Sequence, residues 1–243
     1  MISPTIAKYQ IIRLARDYSK TAFFIGAFIL FLALSFFSGT NVQFKYMEHY
    51  LYSKAFFFNL IVCLVAGAGI LGKDISDGMM SLILSKPISR RRIYLSKFVG
   101  ALLIATALLL AFLLTLGLMV LLRHQTAFPL IPLLKTFAVL WIDQITLLAC
   151  SIFLSSFLKD DSNAFVLLLI IILMFLVPNL PGNAPSPTIM AVLDFLIPVK
   201  SRFIQSRITM GLTIPPGYYL AFFGYLALLF TMGIAIFQKR ETK

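Results

Sequence analysis

Phe98-Val-Gly-Ala-Leu-Leu-Ile-Ala-Thr-Ala-Leu-Leu-Leu-Ala-Phe-Leu-Leu-Thr-Leu-Gly-Leu-Met-Val-Leu-Leu122 is a run of 25 residues without an ionisable side chain. As a helix it measures about 37 Å at 1.5 Å per residue. The hydrocarbon core of a bilayer is roughly 30 Å thick, so this stretch crosses it. Outward along the chain the pattern repeats at 21–37, 55–72, 136–158, 164–180 and 217–237. The six runs make up half of the chain and hold one charged side chain between them, Asp143. They are Leu-, Phe- and Ile-rich and too long for barrel strands. A helix satisfies its own backbone in lipid, so these runs predict an all-α membrane protein with six transmembrane helices in a single domain, 1–243.

Composition excludes the alternatives. The chain is 60% hydrophobic and 12% charged, with a mean hydropathy of +0.96. A soluble domain carries about 25% charged residues. The first run is longer than the apolar part of a secretory signal and no small-residue cleavage site follows it, so an uncleaved span is expected. Cys63 and Cys150 lie inside apolar runs and suggest no disulfide framework. The net charge of +12 would suggest nucleic acid in a soluble domain. Here it fits basic cytoplasmic loops, and no nucleic-acid partner is expected. With six spans and both termini in the cytoplasm, the inner segments hold twice as many Lys and Arg as the outer ones. That orientation and a multi-pass place in the cell inner (plasma) membrane are therefore expected.

Two flanking segments stand out. Residues 3–18 read as an interfacial helix. Ser3 is the N-cap and Pro4 the first helical residue. Ile6, Ile11, Leu14 and Tyr18 fall on one side; Lys8, Arg13 and Arg16 remain for lipid headgroups, and a bend is expected near Ser19–Lys20. Residues 178–217 carry seven of the eleven prolines. Within them, Thr188–Val199 is apolar except for Asp194 and too short to cross, which predicts a re-entrant or interfacial segment between spans five and six. A functional element and a simple outer lid both fit it.

The most informative stretch lies between spans two and three, Gly72-Lys-Asp-Ile-Ser-Asp-Gly-Met-Met-Ser-Leu-Ile-Leu-Ser-Lys-Pro-Ile-Ser-Arg-Arg-Arg-Ile-Tyr-Leu-Ser-Lys-Phe98. Ser76 and Asp77 are placed to cap a short helix, about 76–86, that ends at Lys86. Pro87 stops it, because the residue before a proline is pushed out of the helical region. Ser89 then caps a second helix that runs from Arg90 into the third span. Arg90, Arg91 and Arg92 oppose the dipole of that helix, so an anionic surface must favour them. Met79, Leu82 and Ile83 form an apolar stripe of the short helix, presented to the cytoplasm as a partner surface.

These residues resemble the signature of the permease subunits of ABC type-2 transporters. There an acidic-x-x-x-Gly turn leads into a leucine-rich short helix and then Ser-x-Pro-x-Ser-Arg. Asp74 stands in the acidic position, followed by Gly78, the helix Met80–Leu84, and Ser85-Lys86-Pro87-Ile88-Ser89-Arg90. Met79 departs from the family's usual Thr, and Ser96-Lys97 from its Gly-Lys. The resemblance is closest to the six-helix branch that includes the permease of nitrous-oxide-reductase maturation systems. It implies that the short helix couples to a groove on a cytoplasmic ABC ATPase, through Asp74, Asp77, Gly78, Met79, Leu82, Ile83, Lys86, Pro87, Ser89 and Arg90. It further implies a dimer of ATPases that holds ATP and magnesium, with no cofactor on this chain, and a second permease copy, identical or paralogous. The chain itself is then no enzyme; it is the membrane subunit of a transporter, an exporter in this reading.

Other polar residues leave choices open. Asp143 is the lone intramembrane charge, and such an acid marks a substrate pathway or a structural pair, here with Lys135 as the available base. Gln144, Asn59 and Thr115 either line the same cavity or glue helices together. Gly67-Ala-Gly-Ile-Leu-Gly72-Lys73 matches the spacing of a phosphate-binding loop. Asp74 replaces the hydroxyl residue that would hold magnesium, however, and close packing accounts better for the glycines. His49 and His124 lack neighbouring ligands for a metal. A membrane-embedded enzyme would need at least two convergent ionisable groups in the spans, where only Asp143 is present. An ABC-type mechanotransmitter that moves no cargo would use the same coupling helix as a transporter.

Overall fold

The computed structural model describes residues 3–37, 47–78, 88–124, 128–176 and 216–240, together with Met80, Ile83 and Ser85. Among these residues all regular structure is helical, with α1 Pro4–Arg16, α2 Tyr18–Phe37, α3 Met47–Gly67 and the one-turn α4 Gly72–Ser76. There follow α5 Arg90–His124, α6 Leu130–Ser155, α7 Ser162–Leu176 and α8 Pro216–Lys239. Five stretches are long and apolar enough to cross a membrane: Tyr18–Phe36, Tyr50–Ser76, Arg90–Leu122, Leu130–Ser155 and Tyr219–Lys239. The fifth predicted run falls on α7, whose described apolar helix is shorter, and its last residues lie outside the described part. The predicted re-entrant segment at 188–199 also lies outside it.

The core forms where α3, α5 and α6 pack against one another, flanked by α2 and α8. Phe58 of α3 stacks on Phe112 of α5 at 4.2 Å between ring centroids, and Phe28 of α2 meets both edge-on at 5.8 and 5.6 Å. Many of the remaining apolar side chains point outward, as on α2, where Phe23, Ile25, Ile29 and Leu30 are exposed. A soluble protein would bury that surface; in lipid it is the correct solvent-facing side.

The polar contacts gather the near ends of the helices at one end of the bundle. Lys20 at the start of α2 donates to Ala68 O beyond the end of α3 (2.7 Å). Arg90 at the start of α5 reaches the end of α8, and Arg240 after α8 reaches the end of α6. Asn163 at the start of α7 donates to Gly67 O at the end of α3 (2.8 Å).

Helix α1 differs from the sequence reading in which face it buries. Ile6, Ala7, Gln10 and Leu14 turn inward, while Ile11 is half-buried and Tyr18 is exposed. The cause is a close crossing on α5: a side chain at Gly100 would meet Ala7 O and Gln10 Cβ, each at 2.9 Å. Ser3 occupies the N-cap position, yet its hydroxyl makes no cap bond; its N–H donates to Ser96 Oγ of α5 (2.7 Å). The break between α1 and α2 comes at Asp17, two residues before the expected bend. Asp17 there accepts from Ser19 Oγ (2.7 Å) and Lys20 N (3.4 Å), as a cap of α2 does. The Ser19 hydroxyl, followed by the Lys20 N–H and the nearby lysines, holds the Asp17 carboxyl below its ordinary range, against the effect of burial.

Candidate functional site: the roots of the segment between α4 and α5

The upstream root is the turn 68–71 and α4. In a chain where water is scarce, every backbone group in such a turn needs a partner, and here the partners come from four directions. Lys20 Nζ donates to Ala68 O (2.7 Å) and Lys97 Nζ to Ile70 O (3.0 Å). Asn163 Oδ1 accepts from Gly69 N (2.9 Å), and Ser155 Oγ accepts from Leu71 N (3.0 Å) and Gly72 N (2.8 Å). Gly69 takes the left-handed conformation at φ +61°, and a side chain at Gly72 would lie 2.7 Å from Asp160 O. The glycines of the phosphate-loop-like spacing are thus turn and packing residues, as the sequence reading held.

Asp74 is the centre of this root. Its carboxylate forms ion pairs with Arg13 of α1 and Lys97 of α5. Asp74 and Lys97 are both buried, and Arg13 is mostly so, with 21% of its side chain exposed. Two cations and one anion therefore share a site from which water is largely excluded. Lys73 of the same short helix lies 3.7 Å from Asp17, and Lys20 lies 3.8 Å from Asp161.

A separate one-turn helix, α4, precedes the expected short helix, most of whose residues lie outside the described part, though Met80 and Ile83 are helical. Ser76 does not open a helix; it closes α4, its hydroxyl donating to Gly72 O (2.7 Å), and Asp77 is the C-terminal cap. Gly78 follows at φ +71°, the left-handed residue that commonly ends a helix. The acidic-x-x-x-Gly spacing is thus one helical turn closed by its glycine. Met79, Leu82, Lys86 and Pro87 lie outside the described residues. Of the segment between, Met80 is buried, Ile83 is half-buried against the core, and Ser85 is exposed.

The downstream root is Arg90. Ser89 stands just before α5, its carbonyl accepting from Arg92 N (2.9 Å) and Ile93 N (3.2 Å). Arg90 Nη1 donates to Phe237 O, Gln238 O and Arg240 O at 3.1, 2.9 and 2.6 Å. A cation at the carboxyl end of a helix meets its negative pole, which resolves why an arginine tolerates the first turn of α5. Arg240 repeats the device, donating to Ser155 O, Ser156 O and Leu158 O at 3.0–3.3 Å past the end of α6. Arg91 and Arg92 stay exposed.

The structure brings together two of the three residues proposed for a substrate pathway. Gln144 Nε2 donates to Asn59 Oδ1 (2.7 Å) and Ala105 O (2.9 Å), and Asn59 Nδ2 donates to Leu140 O (3.1 Å). Thr106 Oγ1 donates to Gln144 Oε1 (3.3 Å), so both amides are buried in a clasp that joins α3, α5 and α6. Thr115 lies apart from it, its hydroxyl donating to Ala111 O within α5 (2.8 Å). Asp143 sits half-buried near the middle of α6. Among the described residues no group of three or more His, Cys, Asp or Glu side chains is placed to hold a metal ion.

Sequence reasoning assigned Arg13 to headgroups and left Lys20, Asn163, Ser155 and Arg240 without a role. Arg13 meets a carboxylate 61 residues away, and the partners of the others are distant and largely backbone atoms, which leave no pattern in a sequence. A family model described as ABC-2 family transporter protein matches residues 21–242. A comparison with curated proteins found no match.

Proposed function

The chain belongs to the ABC-2 transporter family, and from that premise we propose that it is the membrane-spanning permease subunit of an ATP-driven exporter. Within the family it sits in the six-helix branch that includes the permease of nitrous-oxide-reductase maturation systems. Two permease copies, identical or paralogous, work with two cytoplasmic ABC ATPases that hold ATP and magnesium, and this chain hydrolyses nothing. The observation that supports the reading is that the segment between Gly78 and Ser89 is joined to the bundle by a fixed root on each side. One root is pinned to α1, α2, α5, α6 and α7, the other to α8. A partner that moves this segment therefore moves both halves of the helix bundle.

The near end of the bundle also carries Arg91, Arg92, Lys159 and Lys239 exposed to solvent, which supports a cytoplasmic face there. Helix α1 and the end of α8 lie at that same end, which supports a reading of six crossings with cytoplasmic termini, α7 belonging to the fifth. The membrane is the cell inner membrane.

Purification in mild detergent followed by mass spectrometry and an ATPase assay tests the reading. A stoichiometric P-loop ATPase is expected to co-purify, and Leu82→Asp is expected to release it while insertion stays intact. A chain that purifies without an ATPase at every salt concentration overturns the permease assignment.

A further inference from the structure

We infer that Arg13 is a positioning residue: it pins the interfacial helix α1 to the root of the segment the ATPase would engage, and makes α1 part of the moving joint. The inference rests on the permease reading for what the joint transmits, but the joint itself stands on the contacts.

Charge balance does not require Arg13. Asp74 and Lys97 are a buried pair of opposite sign, and Lys97 gains a further acceptor in Ile70 O at 3.0 Å. Adding a second cation leaves the site with an excess positive charge, which a nearly dry location makes costly. What Arg13 adds is a mechanical link. The remaining polar contact of α1 with α5 is the Ser3 N–H to Ser96 Oγ bond, and the Gly100 crossing is van der Waals packing. Neither touches α4. Arg13, with the longer-range Lys73–Asp17 pair at 3.7 Å just past the end of α1, is what joins α1 to α4.

The place of that link matters. Helix α4 is a single turn, held upstream by the pinned turn 68–71 and ended downstream by Gly78 in the left-handed conformation. One route by which displacement of the segment beyond Gly78 reaches the bundle is α4. From Asp74 it divides between α5, through Lys97, and α1, through Arg13. Without Arg13 the displacement at Asp74 passes to α5 through Lys97, and α1 keeps only the longer Lys73–Asp17 contact with α4. The residue that sequence alone would give to the ATPase surface, Asp74, is buried behind that surface and acts through its two cations.

Arg13→Gln removes the link and leaves the neutral Asp74–Lys97 pair in place, so the protein is expected to insert and to keep the thermal stability of the parent. Hydrogen exchange at 72–78 is expected to rise about tenfold in Arg13→Gln and to stay near the parent in Arg13→Lys. ATPase is expected to co-purify in the parent amount, while its stimulation by the permease falls at least fivefold, with Arg13→Lys keeping half or more. Unchanged exchange in Arg13→Gln overturns the joint, whatever the partner does. Raised exchange with unchanged stimulation overturns its role in coupling, and loss of the ATPase itself would make Arg13 a docking residue instead. A parent protein that captures no ATPase would fail the permease reading, while the exchange measurement still decides the joint.

Discussion

Asp74, which the family resemblance places among the residues that couple to an ATPase, lies buried between two cations. Its carboxylate is buried with Arg13 and Lys97 on it, so its removal leaves two cations facing each other without an anion. Breaking a buried pair in this way costs about 3–5 kcal/mol, because the surviving charge is stranded. Asp74→Asn is therefore expected to lower the midpoint of thermal unfolding in detergent by several degrees. Adding Lys97→Met to the same chain is expected to recover part of the loss, since it removes one stranded cation. An Asp74→Asn protein as stable as the parent would mean that water reaches the site and screens it. Gln144 gives the complementary case. Both of its N–H donors are taken by Asn59 and Ala105 O, and its oxygen already accepts from Thr106, so it can donate to a passing substrate only by first giving up a helix contact.

At the scale of the element, helix ends matter more than helix middles. The spans are apolar sequences that form helices because lipid leaves their backbone no other partner. Their termini leave carbonyls exposed, and this protein satisfies several of those with arginine, lysine and asparagine side chains from other helices. Arg90 covers three carbonyls at the end of α8. A hydrogen bond to a charged group contributes roughly 1.5–3 kcal/mol. Arg90→Gln is accordingly expected to speed amide exchange in the last turn of α8 by an order of magnitude or more. Arg90→Lys should fall between, since a single ammonium matches three carbonyls less well than a guanidinium does. Exchange that does not change would show that solvent replaces the guanidinium there without loss.

For the molecule as a whole, the end that gathers α1, the 68–71 turn, the α6–α7 turn and the end of α8 is the one we assign to the cytoplasm. A labelling experiment decides it, because the two native cysteines, Cys63 and Cys150, are buried and contribute little background. Lys159→Cys, at the exposed α6–α7 turn, is expected to react with a membrane-impermeant maleimide only in inside-out vesicles. Leu130→Cys, exposed at the opposite end of α6, is expected to react only in right-side-out vesicles. The reverse pattern would invert the topology and place the proposed coupling roots on the wrong side for an ATPase.

Hydrophobic length and the scarcity of charge are properties of consecutive residues, so the sequence alone determined that the chain is helical and lies in a membrane. The same local logic placed the start of α5 after Ser89 and identified Gly72–Phe98 as the stretch that carries the family likeness. It did not reveal that Ser76 and Asp77 close a helix, since a cap is compatible with either end until the backbone is fixed. It gave Arg13 to the lipid because an amphipathic helix seen alone has no neighbour, and only α5, crossing it at Gly100, decided which face is buried. The pairs Arg13–Asp74, Asp74–Lys97, Arg90 with the end of α8 and Arg240 with the end of α6 join residues far apart in the chain, half of them through backbone carbonyls that every residue possesses. Such contacts are set by which helix ends meet in space, and only the tertiary structure decides that.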